Sequence, residues 1–185
     1  MTHLVLLFLH VTAAMGIVAG LGIEGLALTQ LRAARTADEA RVALANSRYV
    51  QRVAGTSLLA AIVTGVYLAT VYWRWQGAWM GVAFLTIVAM ALVGGLMTGR
   101  ATLAAMRAPI EKLAPAALAA LQARLGMSYT IRLGLFLGIV FLMTTKPEGG
   151  PTALIAALVG GALGFLAGLP VRRARTTRDA QGRVR

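Results

Sequence analysis

The chain has 185 residues, of which 58% are hydrophobic and only 13% are charged, and its mean hydropathy is +0.75. Because soluble domains carry about 25% charged residues, this composition excludes a soluble globular domain, and its hydrophobicity equally excludes a disordered chain. Cysteine is absent, which excludes disulfide bonds, thiolate metal sites and cysteine nucleophiles.

Five stretches almost without charge are long enough to cross the hydrocarbon core of a membrane, which takes about 20 helical residues. The sequence therefore predicts an all-α integral membrane bundle of five transmembrane helices. The predicted spans cover residues 4–28, 53–73, 77–99, 127–145 and 151–170. They form one transmembrane domain, 1–171, and a basic tail follows at 172–185.

The first predicted span carries two titratable side chains, His10 and Glu24. They project from one side of a helix but lie about 21 Å apart along its axis, so they cannot share one catalytic event. A histidine inside lipid is a functional hypothesis by default. His10 could ligate haem b or copper, or it could bond a threonine hydroxyl or a carbonyl oxygen in a neighbouring helix.

The segment from Phe8 to Gly20, which contains His10 and then small residues, resembles the first helix of a group of small bacterial membrane proteins. The group includes a family of integral membrane proteins of unknown function, and the run Leu59 to Ala69 in the second span is also similar to that family. It is distantly similar to the copper-resistance D type and to HemJ-type protoporphyrinogen oxidases. In the HemJ type the matching histidine implies haem ligation. The third span lacks the lysine expected in those enzymes, so the resemblance does not carry the oxidase activity.

The connection between the second and third spans is short and aromatic. Tyr72, Trp73, Trp75 and Trp79 surround Arg74. Tyrosine and tryptophan concentrate at the membrane–water interface. The cluster therefore predicts an aromatic belt at the headgroup level.

The connection between the third and fourth spans is longer, and its apolar residues recur at helical spacing. These residues are Ile110, Leu113, Ala117, Leu121 and Leu125. The pattern predicts an interfacial amphipathic helix within residues 101–126. Its apolar side could lie on the inner leaflet or dock on another protein helix.

The fourth span contains Arg132, the one base predicted to lie inside the membrane, as Glu24 is the one acid. Pairing two opposite charges lowers the cost of placing each of them near lipid. We therefore expect Glu24 to point into the bundle or to the inner interface, within reach of Arg132, Arg48 or Arg52.

Glycines recur every four residues in several spans, and this spacing lets helix backbones approach closely in lipid. The strongest face lies on the fifth span, and the fourth span carries a second one. These helix-packing faces are Gly160, Gly164 and Gly168, and Gly134 and Gly138. The faces predict packing within the bundle or against a second membrane protein.

The cations indicate how the chain is oriented. Of the 18 lysines and arginines, 15 lie in the first and third connections and in the tail, whereas the second and fourth connections hold only Arg74 and Lys146. Cytoplasmic loops of membrane proteins are enriched in these residues. The sequence therefore predicts an outside N-terminus and an inside C-terminus, in a prokaryotic inner membrane.

The tail adds a predicted contact with the membrane surface. Its arginines are expected to bind anionic lipid headgroups at the inner face, with no nucleic acid as a partner. The residues assigned to this contact are Arg172, Arg173, Arg175 and Arg178.

No catalytic motif is present, so the sequence gives no positive indication of an enzyme. The favoured interpretation is a structural or accessory protein that forms a homo-oligomer or joins a larger membrane complex. Two alternatives stay open: a haem- or copper-handling protein that uses His10, and a small transporter or channel.

Overall fold

The structure, a computed structural model, describes residues 1–34, 36–107 and 115–182, and side chains throughout these ranges except at 37, 106–107, 115–116 and 170–182. This part of the chain is helical. Its elements are α1 (Thr2–Ala33), α2 (Ala37–Val71), α3 (Ala78–Val93), a π-helical segment (Gly94–Gly99), α4 (Arg100–Arg107), α5 (Pro115–Thr145) and α6 (Gly150–Gly182).

Five of the described helical stretches are long and apolar enough to cross a membrane. Because α3, the π-helical segment and α4 follow one another without a break, they count as one of the five. The prediction of an all-α bundle with five spans is confirmed, and the protein is a multi-pass membrane protein.

Helix α5 lies at the centre of the bundle. It buries 56% of its most apolar stretch, whereas each of the other four spans buries only 17–22%. Helix α1 packs along α2, α6 packs along α5, and α3 also packs on α5, but α2 and α3 contact each other only sparsely. A gap between α2 and α3 follows from this arrangement.

The two short turns and the N-terminus share one end of the bundle, which we call the Lys146 end. The rings of His3 and Tyr72 lie 4.5 Å apart between centroids, and a Cβ on Gly150 would lie 3.5 Å from the Cβ of Ala78. Arg74 and Lys146, the cations of the two turns, adopt left-handed backbone angles, with φ of 47° and 45°.

The opposite end, which we call the Arg41 end, is closed by an apolar cluster. Its buried members are Leu28, Leu31, Ala40, Ala43, Leu44, Ala101, Ala105 and Leu125. Helix α2 has 35 residues, so it is about 52 Å long and exceeds the roughly 30 Å hydrocarbon core. Its first turn is capped by Thr36, whose hydroxyl oxygen accepts the Glu39 N–H at 3.2 Å.

The segment 101–126 differs from its prediction as a separate interfacial helix. Its first residues continue the third span as α4, and Ala117 and the residues after it belong to α5. Leu125 belongs to the apolar cluster at the Arg41 end and Leu121 packs against it, whereas Ala117 is exposed. Ile110 and Leu113 lie outside the described residues. Two of the described stripe residues therefore dock on protein rather than on a separate interfacial surface.

The aromatic belt also differs in one member. Trp75 is exposed, as a belt residue should be, but Trp79 is buried in a core cluster with Met80 and Leu142. Its ring lies edge-on to Trp73, with 6.2 Å between the ring centroids. Trp79 starts α3 on its inward side, so burial outweighs the preference for the interface.

Single cysteines should reveal the sidedness of the bundle, because the chain contains no cysteine of its own. We expect Lys146→Cys to react with a membrane-impermeant maleimide on intact cells, since cation-poor connections face outward. Arg41→Cys, which is also exposed, should react only after the cells are permeabilised. Reaction of Arg41→Cys on intact cells would reverse the assigned orientation.

Candidate functional site

A buried ion pair joins α1 to α5. The Arg132 guanidinium donates from Nη1 to Glu24 Oε2 at 2.9 Å and from Nη2 to Glu24 Oε1 at 2.5 Å. Glu24 is 2% exposed and Arg132 is 8% exposed. Two parallel N–H···O bonds are the strongest geometry for such a pair, and satisfied lone pairs are what makes an ion pair tolerable away from water.

The other candidate partners of Glu24 lie elsewhere. Arg48 and Arg52 are exposed on α2, and the described hydrogen bonds of the Glu24 carboxylate are made by Arg132. Within the described residues the structure therefore brings together Glu24 and Arg132, and not Glu24 and the arginines of α2.

Hydroxyl groups complete the surroundings of the arginine. Arg132 Nη2 donates to Thr98 Oγ1 at 3.1 Å and Nε donates to the Ser128 carbonyl at 3.3 Å. The hydroxyls of Thr98 and Ser128 are 2.7 Å apart. This buried network links α5 to the π-helical segment as well as to α1.

The π-helical segment widens the third span beside Arg132. A Cβ on Gly94 would lie 3.3 Å from Cδ of Arg132, so the absence of a side chain there lets the arginine pass close to the backbone. Helix α5 also supports the segment: Arg124 Nη2 donates to the Leu96 carbonyl at 3.2 Å, and Ser128 Oγ donates to the Val93 carbonyl at 3.4 Å. Single π turns inside α-helices occur frequently at functional sites.

A cavity of about 250 Å³ lies next to the ion pair, between α2 and the third span. We call it the α2–α3 cleft. Small residues form much of its wall, and polar groups stand at its base. Its lining is Leu21, Glu24, Gln51, Ala54, Gly55, Leu58, Met90, Ala91, Gly94, Gly95, Thr98, Gly99 and Arg132.

Gln51 is the polar group that α2 contributes to the cleft. Its amide Nε2 donates to Ser47 Oγ at 3.2 Å and to Thr102 Oγ1 at 3.4 Å. Among the described residues its amide oxygen has no hydrogen-bond partner. The cleft thus offers an acceptor on α2 opposite a charge pair that is internally neutral.

His10 lies about two-thirds of the way from Glu24 towards the Lys146 end, between α1 and α2. Its Nδ1 is 3.0 Å from Thr64 Oγ1. The Thr64 hydroxyl itself donates to the Ala60 carbonyl at 2.6 Å, so we assign Nδ1 as the donor. The ring rests against the backbone of Gly65, where a Cβ would be 2.9 Å from Cε1.

The contact with Thr64 is one of the arrangements that the sequence left open for His10. Among the described residues no group of three or more histidine, cysteine, aspartate or glutamate side chains could hold a metal ion. Haem or copper at His10 stays a prediction.

The glycine faces of α5 and α6 lie against each other. A Cβ on Gly134 would be 2.8 Å from Cα of Gly164, and one on Gly160 would be 3.2 Å from Cα of Gly138. A Cβ on Gly168 would meet Sδ of Met127 at 2.6 Å. The faces are therefore occupied within this chain.

Other repeated glycines divide into two groups. Gly16 and Gly20 pack against Ser57 and Ala54 of α2, whereas a Cβ built on Gly81 or Gly95 meets no atom of the described residues within 4 Å. The arginines assigned to headgroups, Arg172, Arg173, Arg175 and Arg178, belong to the last turns of α6. Their side chains lie outside the described residues.

The sequence did not single out three residues of the site, namely Thr98, Ser128 and Gln51. Ser128 could have been found, because it lies one helical turn before Arg132 and therefore on the same face of the helix. Thr98 and Gln51 lie on other helices, and only the packing shows that they surround the arginine.

The fold and the site define a multi-pass helical membrane protein with a buried ion pair beside a lateral cleft. No family model, curated protein or solved structure matches the chain. The similarity to the small bacterial membrane protein family thus stays a prediction.

Proposed function

We propose that the protein is a structural or accessory subunit of a membrane assembly, formed with its own copies or with another membrane protein. The observation that carries the proposal is the low burial of four of the five spans, at 17–22% of their most apolar stretches. The bundle therefore presents most of its helix surface to whatever surrounds it in the membrane.

The polar interior supports a structural role. Both carboxylate oxygens of Glu24 are bonded by Arg132, and no buried side-chain nitrogen or oxygen in the described part of the chain lacks a partner. A hydrogen-bonded network that joins several helices fixes them relative to one another. A rigid bundle is what an assembly subunit requires.

One outward face of α1 has the character of a helix contact. Gly22 is exposed and has no described atom within 4 Å of a built Cβ, and the exposed residues Val18 and Leu26 flank it one turn away on each side. Glycine is a poor helix former, and among the described residues Gly22 has no packing neighbour to compensate. In lipid such a notch permits the backbone of another helix to approach.

A photo-crosslinking amino acid at Val18 or Leu26 tests the proposal in native membranes. We expect a discrete protein adduct whose mass shows whether the neighbour is a second copy or a different protein. Gly22→Leu should remove the adduct because a leucine fills the notch. The control is the same crosslinker at Leu158, which is exposed on α6 among large aliphatic residues and should give no discrete adduct. Absence of a protein adduct from both α1 positions, or an adduct unchanged by Gly22→Leu, would contradict the proposal.

A further inference from the structure

The α2–α3 cleft opens sideways from the bundle, between α2 and the third span. Gly55 on α2 and Gly95 on the π-helical segment both line it, and both are exposed. A Cβ built on either glycine meets no described atom within 4 Å. The two glycines therefore mark a mouth in the gap between helices that contact each other sparsely.

The size of the cleft restricts its occupant. The cavity of about 250 Å³ is close to the lower limit of about 300 Å³ for ligand pockets. A small polar head with the first part of an apolar chain matches a volume of this size.

The base of the cleft selects a neutral head. Glu24 and Arg132 cancel each other's charge and no further described cation lines the cleft, so a phosphate there would find no unpaired cation among the lining residues, and a buried unpaired charge is costly. A guanidinium has five N–H donors, and the described bonds of Arg132 use one from Nε, one from Nη1 and two from Nη2. One Nη1 donor and the Gln51 amide oxygen remain among the described residues.

A hydroxyl group matches this pair of functions, because its oxygen accepts one hydrogen bond and its hydrogen donates another. We propose that the α2–α3 cleft binds a neutral, hydroxyl-headed lipid, with the hydroxyl between Arg132 and Gln51 and the acyl chain leaving between Gly55 and Gly95. This site is independent of the proposed assembly role.

The probe for this site is a diacylglycerol that carries a diazirine and an alkyne on one acyl chain, presented to the full chain in phosphatidylcholine vesicles. We expect light-induced adducts on peptides that contain residues 51–58 and 90–99. A matched probe with a phosphate head should label these peptides about tenfold less, which is the change that about 1.4 kcal/mol of binding free energy produces.

Two substitutions place the site in the cleft. Gly55→Leu starts from a position where a Cβ meets no described atom within 4 Å, places a side chain in the mouth and should reduce labelling about tenfold. Gln51→Leu removes the amide oxygen that would accept the hydrogen bond from the lipid hydroxyl, and it should also reduce labelling. Gly22→Leu, at an equally open glycine outside the cleft, should leave labelling unchanged even where it abolishes assembly, so failure of this site and failure of the assembly role can be distinguished.

Three results would overturn the proposal. They are unchanged labelling in Gly55→Leu, an equal reduction in Gly22→Leu, and equal labelling by the phosphate-headed probe. Thermal unfolding of each variant in detergent verifies that it is folded, and if Gly55→Leu unfolds, Gln51→Leu decides the outcome by the same criterion.

Discussion

Replacing Arg132 with methionine is expected to lower the free energy of unfolding by about 3–5 kcal/mol. The substitution keeps an unbranched stem but removes the guanidinium, and it leaves Glu24, at 2% exposure, without its cation. It also removes the hydrogen bond that Thr98 accepts from Nη2. The measurement is equilibrium unfolding of the purified protein in mixed micelles.

The matched control is Arg52→Met, at an exposed position on α2. It also removes one arginine, but no buried acid depends on it, so it should change stability by less than about 1 kcal/mol. Equal losses in the two variants would mean that net charge, rather than the buried pair, determines stability.

Replacing Gly164 with leucine is expected to cost about 1–3 kcal/mol, the usual range for an overpacked contact. A Cβ at this position would press on the Thr130 carbonyl oxygen and lie 3.0 Å from Cα of Ile131. Backbone atoms cannot relieve the clash by changing rotamer as a flexible side chain can, so α5 and α6 must move apart to accommodate the leucine. Thermal unfolding in detergent measures the loss.

Ala162→Leu is the control for this contact because Ala162 is exposed on the same helix. A leucine there enlarges the outward surface and should leave the unfolding temperature unchanged. If Gly164→Leu were as stable as Ala162→Leu, the close approach of α5 and α6 would be wrong.

The ion pair could be anticipated from the sequence because the candidates were so few. A charge inside the membrane requires a partner, and the predicted spans offered one acid, Glu24, and one base, Arg132. The five spans could be predicted for a similar reason. A chain in lipid must satisfy its backbone hydrogen bonds internally, so the length of an apolar stretch is enough to identify a membrane-spanning helix.

The cleft and the π-helical segment could not be predicted, because both depend on how helices meet. Gly95 and Gly99 have the same spacing as Gly134 and Gly138, yet the second pair packs on α6 and Gly95 faces open space. A four-residue glycine spacing indicates that another helix could approach that face, but it does not show whether a helix packs there. The stripe ending in Leu125 was ambiguous for a related reason, since lipid and protein both cover an apolar face.

The central claim is that Glu24 and Arg132 stabilise the bundle as a pair, and a double-mutant cycle tests it most directly. The variants are Glu24→Gln, Arg132→Met and the two together, each measured by equilibrium unfolding under one set of conditions. We predict that the loss of stability in the double variant is smaller than the sum of the two single losses by a coupling free energy of about 2 kcal/mol, because the second substitution removes the buried charge that the first one leaves unpaired. Additive losses, with no coupling between the two substitutions, would contradict the account.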